Sequence, residues 1–132
     1  MKKTVFLGFC ILPVLIFSFC NTNKKKAVLC VENYIKAYIT GDERLLKTVL
    51  NKELLKNFDK YANFFKSPYF KEIREEIKTA KVEITEVKKT VQGYSVSYKL
   101  IFKRYDYRND VIPVIREGEE WKITNLGQFC FE

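Results

Sequence analysis

After Thr79 the apolar residues of this chain stop recurring every three or four positions and begin to alternate. That change of period, from about 3.6 to 2, limits the fold more than any other feature. Ahead of it, Ala27, Val31, Tyr34 and Tyr38 recur at helical spacing, with Val28 and Ile35 widening the stripe, and predict a first helix over 27–40. Gly41 tolerates the left-handed conformation found just past a helix, and Asp42 can cap the next one. Leu45, Leu46, Val49 and Leu50 give that second helix its apolar face. A third is predicted after Asn51, with Leu54, Leu55, Phe58, Tyr61, Ala62 and Phe65 on one side. Ser67-Pro68 reads as a cap followed by proline in the first turn. The helix it opens turns Phe70, Ile73 and Ile77 inward and Glu72, Glu75 and Glu76 to water.

Beyond the change of period, Val82 and Ile84 alternate with Lys81, Glu83 and Thr85. Tyr94, Val96, Tyr98, Leu100 and Phe102 then share one strand face opposite Ser95, Ser97, Lys99 and Lys103. Gly93 introduces this second strand. Arg104 to Asp110 is a polar connection, and Val111–Ile115 with Glu120–Leu126 predicts a hairpin around Glu117-Gly118-Glu119. Pro113 lacks a donor, so its strand is expected at an edge or a bulge. Helices first and an antiparallel sheet afterwards give an α+β class, with N-terminal helices packed on a curved sheet of about four strands.

The first 26 residues belong to another kind of segment. Lys2 and Lys3 precede an uncharged apolar run from Val5 to Phe19, about fifteen residues, which is shorter than the roughly twenty a membrane-spanning helix needs. Pro13 interrupts it. Phe17-Ser18-Phe19-Cys20 ends it, and the whole resembles a bacterial lipoprotein signal, cut just before a cysteine that carries a diacylglyceryl group. The resemblance implies a signal peptide over 1–19, lipidation of Cys20, a tether over 20–26 and a folded domain over 27–132. An ordinary signal peptide and an uncleaved anchor are the alternatives. Lys24, Lys25 and Lys26 either attract an anionic leaflet, at about 1 kcal/mol each, or keep the tether solvated.

The chain has 24 Lys and Arg against 16 Asp and Glu, a formal charge of +8. Such an excess suits an anionic lipid surface or an acidic partner; no nucleic-acid motif is present, and no nucleic-acid partner is expected. The sequence contains no His. That removes the commonest general base and the commonest metal ligand, so no metal and no cofactor are expected.

A first helix closed by Gly41-Asp42, further helices, and a terminal hairpin reading Val114-Ile115-Arg116-Glu117-Gly118-Glu119-Glu120-Trp121-Lys122-Ile123 resemble the nuclear transport factor two-like superfamily, also called SnoaL-like or ketosteroid isomerase-like. The resemblance covers about 27–126 and implies a cystatin-like cone whose apolar cavity serves catalysis, ligand binding or only packing. Tyr34, Tyr38, Phe58, Tyr61, Tyr98, Phe102 and Trp121 are the candidate lining; ordinary core packing is the other reading of the same spacing. Ketosteroid isomerase works with an Asp base, a Tyr and a protonated Asp. Here Asp42, Asp59, Asp106 and Asp110 fall at helix ends, polar faces or loops, so no catalytic residue is assigned. Outside the cytoplasm Cys30 and Cys130 are candidates for a disulfide closing a loop of about 100 residues. Two separate small apolar residues are the alternative.

The expected function is thus that of a lipid-anchored envelope protein at the cell membrane or outer membrane, facing away from the cytoplasm. Its domain binds an apolar small molecule or another envelope protein without catalysis. The alternative is an isomerase or cyclase of the SnoaL-like class.

Overall fold

The computed structural model describes residues 22–103 and 108–126. The leader, Cys20, residues 104–107 and Cys130 lie outside the described residues. Helix α1, described over residues 22–40, reaches back at least five residues before the start that the apolar stripe alone predicts, so Lys24, Lys25 and Lys26, expected in the tether, are helical. Ala27, Cys30, Val31, Tyr34, Ile35, Ala37 and Tyr38 are buried along it. The helix stops as expected: Gly41 has φ +72°, and the Asp42 N–H reaches back to Ala37 O at 3.1 Å. That is the 6→1 bond of a glycine-closed helix end.

Asp42 Oδ1 accepts from Leu45 N at 3.1 Å and opens α2 (Glu43–Val49). The single helix predicted after Asn51 is two pieces, α3 (Lys52–Lys56) and α4 (Phe58–Phe65). At Asn57 the backbone turns to φ −104°, ψ 16°, and its N–H is shared between Leu54 O and Leu55 O. The break changes the phase of the stripe: Phe58 and Ala62 are buried while Leu55 is left 38% exposed. The side chains of Tyr61, Phe65 and Ile73 lie outside the description. Ser67 accepts from Phe70 N at 3.2 Å, Pro68 takes the first turn, and α5 (Pro68–Lys78) buries Phe70 and Ile77.

Four antiparallel strands follow in the order β1-β2-β3-β4: β1 (Lys81–Lys89), β2 (Gly93–Ile101), β3 (Arg108–Glu117) and β4 (Glu120–Ile123). The sheet is open, with β1 as a long edge. A register shift between Ile84 and Glu86 bulges that edge, and charged residues line its outer face, two devices that discourage pairing with another chain. In β2 the expected face is the buried one, with Val96, Tyr98 and Leu100 inside. One cluster of buried side chains joins this face to the helices, which makes the fold α+β with N-terminal helices on a four-stranded sheet.

Pro113 does not lie on an edge strand, since β3 pairs on both sides. Locally, however, its partner strand has finished: β4 ends at Ile123, opposite Val114. Thr124 N still donates to Pro113 O at 3.3 Å, so the donor that proline lacks is aimed past the end of β4. At the other end of β4, a two-residue turn at Gly118-Glu119 joins the strands. Gly118 has φ +65° and Glu119 is not in the positive-φ region, the pattern of a type II′ hairpin turn.

Candidate functional site

Tyr34 and Tyr38 sit one turn apart on α1 and pack edge to face, ring centroids 4.9 Å apart. Phe70 of α5 meets Tyr38 in the same way at 5.2 Å. Both tyrosines are buried, and the Tyr34 hydroxyl donates to Leu126 O, which answers the polar demand that burial creates. Tyr98 is buried in β2. Of the remaining aromatic candidates, Phe58 is buried under the Lys47 ammonium, 4.7 Å above its ring. Phe102 lies just past β2, and Phe102 and Trp121 are half-buried against the core. Trp121 packs on Tyr94 at 5.5 Å. The structure therefore gathers Tyr34, Tyr38, Phe58 and Tyr98 into one core and leaves Phe102 and Trp121 at its margin.

One inward group contradicts the sequence expectation. The strand β3 begins at Arg108, not Val111, and this places Asp110 opposite Tyr98 on the core-facing side. The Tyr98 hydroxyl donates to Asp110 Oδ2 at 2.8 Å, while Asp110 Oδ1 accepts from Val111 N at 2.8 Å. The signal was present in the sequence: Ile112 and Val114 face inward, and period 2 carried one step back from Ile112 reaches Asp110. Chemically the pair fixes a phenol against a carboxylate at the rim of the core, with both carboxylate oxygens engaged.

Cys30 is a buried free thiol whose Sγ donates to Trp121 O at 3.3 Å. Burial pushes it up to about 12, against the smaller pull of the Lys122 ammonium. Lys122 is itself held, donating to Thr48 O at 2.5 Å and pairing with Glu120 at 2.8 Å. The bond to Lys122 in turn holds the Glu120 carboxyl below its ordinary range.

Clefts among the described residues include one of about 400 Å³ beside Gly41, where Arg44, Lys66, Lys71 and Arg74 surround Asp42 and Glu43. Arg74 is fixed there, with Nε donating to Tyr38 O at 3.2 Å and the guanidinium stacked 5.2 Å from the Phe70 ring. Lys66 Nζ lies 3.0 Å from Glu43 Oε1, a buried oxygen that the lysine neutralises without the angle of a hydrogen bond. Another, of about 410 Å³, runs between α1 and β1 along Ile35, Ile39, Val82 and Ile84. Neither is lined by the aromatic candidates. Among the described residues no three His, Cys, Asp or Glu side chains are grouped to hold a metal, and no helix is long and apolar enough to cross a membrane. Comparison with known proteins finds no family model, no curated protein and no solved structure that matches this chain.

Proposed function

We propose that the chain is an envelope lipoprotein: the leader 1–19 is removed, Cys20 carries lipid, and a domain of the nuclear transport factor two-like type is held outside the cytoplasm at the cell membrane or outer membrane. The domain binds an apolar small molecule or another envelope protein and does not catalyse a reaction. Support for the anchor is the sequence from Lys2 to Cys20, charged, then apolar, then cysteine. The observation that carries the non-catalytic half is the packed interior. Among the described residues no polar or charged residue is buried, and Tyr34 and Tyr98 spend their hydroxyls on Leu126 O and Asp110.

Labelled palmitate is expected to enter the wild-type protein, and Cys20→Ser is expected to move it from the membrane to the soluble fraction. Failure of the label to enter overturns the reading. A second reading, an isomerase or cyclase of the SnoaL-like class, has the Tyr98–Asp110 pair in its favour. Asp110→Asn separates the two: a scaffold keeps its partner, whereas an enzyme loses turnover with its fold intact.

A further inference from the structure

We propose that the end of the domain formed by the start of α1 and the β1–β2 turn docks on an anionic lipid leaflet, so that the domain lies against the membrane. This rests on the lipoprotein reading and adds to it the surface, the partner and the orientation. Helix α1 is already formed at Thr22, two residues after Cys20 and so at most about 7 Å from it along the chain. An acylated Cys20 therefore holds the first turns of α1 at headgroup level.

The surface held there suits lipid. Ala27, Cys30, Val31 and Tyr34 turn toward the core, and residue 29 points the other way around the helix. Leu29 is 53% exposed. With Val28, Lys24, Lys25 and Glu32 it lines a surface cleft of about 560 Å³. Lys24, Lys25 and Lys26 are all exposed.

The β1–β2 turn lies at the same end of the molecule. Cys30 contacts Trp121 O, the Trp121 ring packs on Tyr94, and Tyr94 pairs with Lys89, the last residue of β1. This turn presents Val91 fully to solvent, flanked by exposed Lys88 and Lys89. Of the four large apolar residues exposed among the described ones, two, Leu29 and Val91, are thus at this end amid lysines. Apolar side chains ringed by lysines, whose stems lie along lipid while their ammonium groups meet phosphate, are the composition of an interfacial surface. Acidic groups border it. Glu32 sits one turn beyond Val28, Glu86 pairs with Lys88 at 3.5 Å, and the neighbouring β3–β4 turn carries Glu117, Glu119 and Glu120. They confine the contact to the side formed by α1 and the β1–β2 turn.

The test is lysine footprinting of the full native protein. Mass spectrometry first reads the amino terminus. The protein is then reconstituted in phosphatidylcholine vesicles with or without phosphatidylglycerol, and in detergent micelles, and treated with a water-soluble amine-acylating reagent. Acylation of Lys24–Lys26 and of Lys88 and Lys89 is expected to fall about fivefold or more in the anionic vesicles, the factor one lysine gains near such a surface. Lys71, on the cleft beside Gly41 at the far end of α1, is expected to react equally in all three. An amino terminus without lipid on Cys20 overturns the lipoprotein reading and this inference together. A lipidated chain with no protection in anionic vesicles overturns only the inference. So does protection that persists in micelles, which identifies a second copy as the occupant.

Discussion

Helix α1 lays seven buried side chains in one stripe across the sheet and the neighbouring helix, whereas α3 buries none and α4, among its described side chains, buries Phe58 and Ala62. Both stretches carry apolar residues at helical spacing, and only one is continuous. The difference is in what each stripe meets. The buried face of α1 finds Phe70 of α5, the backbone of β4 at Trp121 and the chain beyond it at Leu126. On α3, Leu54 reaches the core only in part and Leu55 is left exposed. Periodicity records a capacity for helix; a partner along the whole stripe makes that capacity one rigid element.

The comparison can be broken at three places. Tyr34→Ala removes a fully buried ring, its edge contact with Tyr38 and the bond to Leu126 O. Denaturant unfolding is expected to show a loss of about 3–5 kcal/mol, as for other large core truncations; a loss below about 1 kcal/mol would mean that the α1 stripe does not hold the domain together. A pH-dependent effect is expected at Cys30. Burial keeps its thiol protonated up to about 12, against 9.0 when exposed. Between those values the unfolded chain releases a proton that the folded chain retains. Stability from this group is therefore full below pH 9 and falls as pH rises toward 12, by up to about 4 kcal/mol. Cys30→Ala should remove that part of the alkaline slope, seen as the difference between the two proteins' unfolding curves. A wild type with the same slope as the variant has no thiol at 30, the outcome expected of a Cys30–Cys130 bridge. The smallest effect belongs to Leu55→Ala, expected to change stability by no more than about 0.5 kcal/mol; a loss above about 2 would place α3 in the core after all.

Much of this architecture could be read from residue order because the local chemistry was unambiguous. The Gly41-Asp42 junction, the Ser67-Pro68 start, the inward face of β2 and the Gly118 turn all stand where propensity and period put them. The departures share a cause, which is that a neighbour in space overrode the local pattern. Asn57 breaks a stripe that looks continuous, because Phe58 and Ala62 go into the core and Leu55 does not. Asp110 looked like loop because Arg104–Asp110 is polar, and cross-strand pairing with Tyr98 drew it into β3. The charge of lysines 24–26 suits a linker, but lysine also has good helix propensity, and these residues continue α1. Spacing turns the aromatic candidates inward, but it does not separate the buried Tyr34, Tyr38, Phe58 and Tyr98 from Phe102 and Trp121 at the margin.

Pro113 has an effect that reaches across the molecule. A longer last strand would need Thr124 both to give and to receive a bond, and Pro113 can answer only the first, its carbonyl accepting while its nitrogen has no hydrogen to return. Zipping stops there, and the chain peels away from the sheet. Three residues after the last ladder position, Leu126 is clasped by the Tyr34 hydroxyl. One ring closed on its own backbone thus turns what would have been the tail of a hairpin into a strap drawn over the opening helix.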